Sequence, residues 1–354
     1  MTISPFVAHG DPPKSGDLFA RQRAARRRRL TYALLAIAAA LAALVLVSLA
    51  IGSNPLTLAE VWAGLTGGQR SRASIIVWEL RMPRTVIALV IGCALAVAGV
   101  VMQALTRNPL AEPGILGVNA GAAFAVVASA TVLGITDVRS YLWFALLGAA
   151  AAAGFAYLVS LRRTHRSDHA RLVLAGVALS ASLGACTGII TMFNSKTFSS
   201  YRFWVIGSVA DRGPDVLLPI LPIVAVGLVL AAIQAPSLNA LALGEEQATA
   251  LGARLGPIRV VAFLAITLLC GAATAAAGPI GFVGLVVPHV LRLIVGVDQR
   301  VVLALSALLG PALVLGADIV GRVITRPGEL EVGVVTAFIG APVLLALLLG
   351  RNWR

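Results

Sequence analysis

A succession of long apolar segments limits this chain more than any other feature does. A helix needs about 20 apolar residues to cross the hydrocarbon core of a bilayer. Ten segments fit that length, and they are 30–51, 85–105, 114–134, 141–161, 172–193, 216–235, 260–277, 280–296, 301–320 and 332–350. Backbone groups cannot stay unpaired in lipid, so each segment should be helical. The sequence predicts an all-α membrane protein of about ten transmembrane helices.

The composition agrees with a polytopic membrane protein. Apolar residues make up 59% of the chain and charged residues 12%, and the mean hydropathy is +0.93. A soluble domain carries about twice that charged fraction. The net charge of +13 does not indicate nucleic-acid binding, because topology and anionic lipid headgroups explain cytoplasmic arginine.

The distribution of arginine predicts the orientation and the domain limits. Residues 1–29 are rich in Pro, Gly and Arg without an apolar period, and we expect a disordered basic cytoplasmic tail there. We expect residues 30–354 to form one polytopic membrane domain. The run Arg26–Arg29 favours a cytoplasmic N-terminus, and an even number of spans then places the C-terminus there too. The outer side keeps more arginine than this rule expects.

A weak internal sequence similarity suggests an inverted repeat. The segment 94–99 (ALAVAG) resembles 273–278 (ATAAAG), and the two lie five spans apart. An odd offset reverses the direction across the membrane, as in many transporter folds. In a chain so rich in alanine, chance is an equal explanation.

The chain lacks the motifs of an energy-converting or catalytic protein. It contains no GxxxxGK[ST] loop, HExxH or CxxC motif. Cys93, Cys186 and Cys270 lie far apart inside apolar segments, so we predict no metal site. Few ionisable groups lie in the spans, which disfavours a secondary transporter or channel acting alone. A membrane enzyme is disfavoured because no nucleophiles cluster. A transporter of this kind needs an external source of energy.

The segment 235–258 predicts a short amphipathic helix between two spans. A glycine precedes a pair of glutamates, which favour the positive end of a helix, and a second glycine can end it. Such a helix can lie on the membrane or fill a groove in a partner. Ala248, Leu251 and Leu255 fall on one face at helical spacing. The residues of this prediction are Gly244, Glu245, Glu246, Ala248, Leu251 and Gly252.

Three arginines stand at predicted outer boundaries. Arg81 and Arg84 precede the second span, and Arg322 follows Asp318 by one helical turn, so the aspartate can orient it. Arginine suits pairing with carboxylates of a partner. The alternative is snorkelling at the membrane boundary.

Small residues recur at every fourth position of the fifth span. This spacing is typical of close helix packing. The alternative is a helix that lines a central pathway and offers it hydroxyl groups. The pathway candidates are Gly176, Ser180, Gly184 and Thr187.

Several longer motifs carry a resemblance to a known family. They are LRMPRT at 80–85, NPLAEPGILGVNAGAA at 108–123, GEEQATALG at 244–252, GPIGFVGLVVPHVLRL at 278–293 and GELEVGVVTAFIGAPVLLALLL at 328–349. In number, order and spacing they resemble the permease subunits of ABC importers for iron-siderophores, haem and vitamin B12. The resemblance covers about residues 78 to 349.

The resemblance implies a fold like that of the vitamin B12 importer permease and roles for the candidate residues. Arg81, Arg84 and Arg322 would meet an extracytoplasmic substrate-binding protein, the short helix would dock on the ATPase, and the fifth span would flank the pathway. The chain would pair with an identical or sister permease in a bacterial inner membrane. It would bind no cofactor itself, because ATP and magnesium belong to two cytoplasmic ATPase subunits. A ferric siderophore is the expected cargo, with haem or vitamin B12 as alternatives.

Overall fold

The computed structural model describes residues 15–52, 56–67, 71–135, 137–160, 168–325 and 328–349. Within these ranges the protein is helical and contains no strand. The helices are α1 (Ser15–Ala50), α2 (Leu58–Thr66), α3 (Arg72–Ile75), α4 (Met82–Thr106), α5 (Val118–Val132), α6 (Val138–Ser160), α7 (Asp168–Phe193), α8 (Ser195–Val205), α9 (Pro214–Ala242), α10 (Glu245–Ala250), α11 (Leu255–Ala277), α12 (Val283–Val295), α13 (Gln299–Ile324) and α14 (Val332–Leu349). A π-helical turn, Ile76–Arg81, joins α3 to α4, and a 3₁₀ turn, Pro113–Leu116, precedes α5.

The ten predicted apolar helices are present in the described part of the chain. Seven are long and apolar enough to cross a membrane, and the three shorter ones are α5, α12 and α14. This confirms the all-α membrane class. The short lengths of α5 and α12 follow from helix breaks just before them, which the sequence pattern had merged into longer spans.

Two boundaries differ from the sequence prediction. Helix α1 begins at Ser15, so residues 15–29, which we expected to be disordered, are helical. Arginine and alanine favour helix, and no proline or glycine interrupts the chain after Gly16. Helix α9 extends to Ala242 through Pro236, so the first part of the predicted loop 235–258 is helical as well. Residues 1–14 and 161–167 lie outside the described ranges.

Helices α4 and α11 form the centre of the bundle. Both are mostly buried, and the two helices contact one another. The similar segments 94–99 and 273–278 therefore lie in two adjacent central helices. That placement is compatible with an inverted repeat, which stays a prediction.

Glycines set the distance between α4 and its neighbours. A Cβ atom on Gly99 would lie 2.0 Å from the carbonyl oxygen of Gly284 in α12, and one on Gly92 would lie 2.6 Å from that of Gly310 in α13. Close backbone approach through small residues is the usual basis of helix association in membranes. Helix α4 is thus held on two sides by contacts that admit no side chain.

The breaks before α5 and α12 meet inside the bundle. The Glu112 carboxylate accepts a hydrogen bond from the backbone N–H of Phe282 at 2.6 Å. Phe282 has a left-handed backbone with φ 68° and immediately precedes α12. The Gln103 side chain donates to the Gly284 carbonyl at 3.0 Å. Non-helical backbone at this depth needs such partners within the protein, because lipid offers none.

Replacing Gly99 with alanine should destabilise the fold, because the methyl group would collide with the backbone of Gly284. We expect a loss of about 1–3 kcal/mol, as for overpacked cores. The check is the melting temperature of purified protein in detergent. Gly316→Ala is the control, since a Cβ there meets no atom within 4 Å. Equal melting temperatures for the two variants would contradict the close approach.

Candidate functional site

Asp318 is the centre of a buried charge cluster at the end of the bundle where α4 begins, called here the Arg84 end. Its Oδ1 accepts hydrogen bonds from Arg84 Nη2 at 2.6 Å and Nε at 2.9 Å. Its Oδ2 lies 2.7 Å from Arg322 Nη2, an ion pair without an aligned hydrogen bond. The Asp318 side chain has no exposed surface. One carboxylate therefore holds two guanidinium groups from helices α4 and α13.

Arg322 and a further arginine, Arg81, cap the end of α1. Arg322 Nη1 donates to the carbonyl of Ser48 at 3.0 Å and to that of Ile51 at 2.8 Å, and Arg322 Nη2 binds Ser48 Oγ at 2.8 Å. Arg81 donates to the Leu49 carbonyl. The last carbonyls of a helix have no partners within it and carry partial negative charge. Arg81 and Arg322 satisfy these groups and fix α1 to the bundle.

The three candidate docking arginines differ in how much surface they offer. Arg81 and Arg322 are 5% and 2% exposed, so neither snorkels. The Arg84 side chain is 13% exposed, and its Nη1 binds Glu329 at 2.6 Å. Glu329 is itself 29% exposed. Of the three, Arg84 has the most exposed side chain, and Glu329 of the same chain pairs with it.

The sequence pattern missed the partners in this cluster. Asp318 was expected to orient Arg322, yet it also binds Arg84, 234 positions away. Glu329 and Ser48 gave no local signal at all. A lone carboxylate in an apolar span, which needs a buried cation, was the available clue for Asp318.

A short helix, α10, occupies the predicted position at the opposite end, called here the α10 end. Gly244 before it and Gly252 after it adopt φ values of 113° and 84°, which favour glycine. Glu246 is exposed. Ala248 is fully buried, whereas Leu251 is 70% exposed. The expectation that these last two share one buried apolar face was wrong, although the Leu251 N–H still closes the last helical turn onto the Gln247 carbonyl at 3.0 Å.

Glu245 ties α10 to the membrane helices. Its Oε1 accepts a hydrogen bond from Arg259 of α11 at 2.8 Å and lies 3.7 Å from Arg107 Nη2. Arg107 ends α4 in a left-handed conformation with φ 50°. Movement of α10 would therefore act directly on α11 and on the segment that follows α4.

Helix α7 is packed at one end and open at the other. A Cβ on Gly176 would lie 2.2 Å from the Ile115 carbonyl oxygen, whereas one on Gly184 would meet no atom within 4 Å. Ser180 donates to the Gly176 carbonyl at 2.7 Å, and the buried Thr187 donates to that of Leu183 at 2.7 Å. Gly176 meets the packing expectation, whereas the pathway role stays a prediction, with Gly184 on an open face of the described chain and Thr187 buried.

Comparison with known proteins shows which family this chain resembles in sequence and structure. The model of the FecCD transport family matches residues 40–350. The chain is similar to the ferric enterobactin transport system permease protein of Escherichia coli (strain K12), with 44% identity over 301 residues, 85% of this chain and 90% of that protein. It is 41% identical over 300 residues to the vitamin B12 import system permease protein of Vibrio cholerae, covering 84% and 89% of the two chains. A solved inward-facing structure assigned to the metal-chelate type of ABC transporter shares 29% identity and a TM-score of 0.78, covering 90% and 98%.

Replacing Asp318 with asparagine should strongly destabilise the protein, because the buried Arg322 would lose its carboxylate and Arg84 would keep only Glu329. Removal of one partner from a buried pair costs about 3–5 kcal/mol. Asp215→Asn is the matched control. It breaks the exposed pair with Arg139, where we expect less than about 1 kcal/mol. Thermal unfolding in lipid nanodiscs measures both, and an unchanged melting temperature for Asp318→Asn would contradict the role of the cluster.

Proposed function

Because the chain belongs to the FecCD transport family, we propose that it is the membrane-spanning permease subunit of an ABC importer for a ferric siderophore. The single observation that carries the proposal is the family match over residues 40–350. The apolar helices supply the route across the membrane, and the chain has no P-loop of its own. ATP and magnesium would be held by two partner ATPase subunits, and the permease itself would bind no cofactor.

The cargo assignment follows the relatives. The enterobactin permease named above shares 44% of aligned residues, and the vitamin B12 permease shares 41%. These values favour an iron chelate and keep vitamin B12 as the alternative cargo, together with haem. A stand-alone secondary transporter is disfavoured, because the buried carboxylate of α13, Asp318, is engaged in pairs with Arg84 and Arg322.

We place the Arg84 end outside the cytoplasm, facing a substrate-binding protein. The run Arg26–Arg29 lies on the N-terminal part of α1 and favours a cytoplasmic position there. Both termini would then be cytoplasmic, in a bacterial inner membrane. At the outer end, acidic residues of the binding protein would compete with Glu329 for Arg84. The buried Arg81 and Arg322 would support this contact by holding α1 and Asp318 in place.

The α10 end would contact the ATPase subunits. Leu251 offers an exposed apolar side chain there and Glu246 an exposed charge, beside the buried anchor Ala248. Gly244 and Gly252 allow the turns that present this short helix. Glu245 would pass movement of α10 to Arg259 and Arg107, at the start of α11 and the end of α4.

A second permease, identical or a sister subunit, would complete the pathway at α7. The Gly184 face of α7 is open in the single chain, and so is Gly188 one turn further. Ser180 and Thr187 lie on the same helix, although their hydroxyl protons are bound to carbonyls of α7. Because Thr187 is only 3% exposed, the pathway would be lined mainly by small residues, with Ser180 as the candidate hydroxyl.

Reconstituted transport tests the proposal. Proteoliposomes should contain this chain with its ATPase and sister-permease partners, and receive the binding protein loaded with a labelled ferric siderophore. We expect uptake that needs both ATP and the binding protein. Leu251→Arg should abolish co-purification of the ATPase and uptake together. Uptake by this chain alone, driven by an ion gradient, would overturn the assignment, and uptake of haem or vitamin B12 instead would correct the cargo.

Binding-protein docking should depend on the contact between Arg84 and Glu329. We expect Arg84→Glu to abolish docking and Glu329→Gln to strengthen it severalfold, because Arg84 would lose its internal competitor. Glu331→Gln is the control, since it removes a nearby charge without touching that pair. Surface plasmon resonance on nanodisc-embedded permease gives the dissociation constants. Weaker docking by Glu329→Gln would contradict the competition.

A further inference from the structure

A cavity of about 760 Å³ opens at the α10 end, where several membrane helices terminate. It lies between the end of α4, the end of α9, and the turn that joins α12 to α13, with α1 alongside. Ends of bilayer-spanning helices lie at the level of the lipid headgroups. The cavity is therefore at the membrane boundary. The docking contact described above does not use it, whereas Arg107 belongs both to the cavity lining and to the α10 contact.

Three arginines and one carboxylate line this cavity. They are Arg26, Arg107, Arg292 and Asp298. Asp298 pairs with Arg26 at 3.0 Å, and its pKa is held below the ordinary value by a hydrogen bond from Asn239 and then by Arg26. Arg107 lies 3.7 Å from Glu245 of α10, so the lining keeps one positive charge beyond these two pairs, that of Arg292, and its ligand should be anionic.

Arg292 is the best-anchored cation of the three. It lies in the last turn of α12 and donates to the side-chain oxygen of Gln103 in α4. Gln103 is in turn bound to the Gly284 carbonyl. This chain of hydrogen bonds fixes the guanidinium at the cavity, so a ligand does not have to order a flexible arginine.

The cavity also offers an acceptor and an apolar edge. Gln299 lines it, and the Gln299 Oε1 is buried without a hydrogen-bond partner among the described residues. Such an oxygen needs a hydroxyl or an ammonium donor. Leu243 and Val297, also in the lining, are exposed apolar side chains at the rim. A ligand that fits has a phosphate, a donor group beside it and an apolar tail.

We propose that this cavity binds the headgroup of an anionic glycerophospholipid, with phosphate on Arg107 and Arg292 and a headgroup hydroxyl on Gln299. Phosphatidylglycerol has this combination of groups. Basic pockets between membrane helices bind anionic headgroups in this way. With the proposed topology, the lipid belongs to the cytoplasmic leaflet. Inorganic phosphate shares the anion but lacks the tail that Leu243 and Val297 would contact.

Native mass spectrometry of the delipidated full chain in detergent tests this proposal. Titration with phosphatidylglycerol should give saturable binding that inorganic phosphate and glycerol 3-phosphate do not displace. Arg292→Gln and Arg107→Gln should each weaken it about fivefold, which corresponds to about 1 kcal/mol per arginine at an anionic membrane surface. Arg254→Gln, at an exposed arginine outside the cavity, should have no effect.

The variant Gln299→Met tests the contribution of the headgroup hydroxyl to binding separately from that of the phosphate. It should weaken binding of phosphatidylglycerol and leave binding of phosphatidic acid, which lacks that hydroxyl, unchanged. Arg107→Gln keeps the test valid if Arg292→Gln does not fold. Equal affinity for the cavity variants and Arg254→Gln would overturn the proposal. Full displacement by inorganic phosphate would identify a free anion site and reject the lipid. Variants with normal lipid affinity that lose the ATPase would assign the cavity to that partner.

Discussion

The close approach of α4 to α12 and α13 is the constraint on which the other features depend. At Gly99 and Gly92 the backbones of neighbouring helices are too near for any side chain. In lipid there is little hydrophobic gain from joining two apolar helices, so packing of backbone and small side chains has to hold them. The glycines make that packing possible. They place Gln103 where it reaches both the Gly284 carbonyl and Arg292.

Helix α4 connects the two charged ends of the molecule. Arg84 in its first turn binds Asp318 and Glu329, and Arg107 at its end lies beside Glu245 of α10. The helix is buried along most of its length. A shift of α4 would therefore be felt at both ends at once. This gives the proposed importer a physical link between binding-protein docking and the ATPase contact.

The candidate site was only partly predictable from the sequence. Local rules located α10, because Gly244, the glutamates after it and Gly252 are adjacent in the chain. They also placed Arg84 and Arg322 at a helix boundary. They could not tell that Arg322 caps α1, since its partners Ser48 and Ile51 lie more than 270 positions away. Burial of Arg81 and Arg322 has the same origin. Leu251 was mispredicted because helical spacing gives the direction of a side chain but not whether another segment covers it.

The sequence alone determined the class of the protein and the position of its membrane helices. Apolar length and hydrogen-bond satisfaction in lipid are properties of each segment, so no knowledge of the neighbours is needed. Tertiary structure decided which charges pair and where the helix breaks before α5 and α12 meet, at Glu112 and Phe282. It also decided which arginines remain accessible. These outcomes depend on contacts between distant segments, whose geometry is set by the way the helices pack.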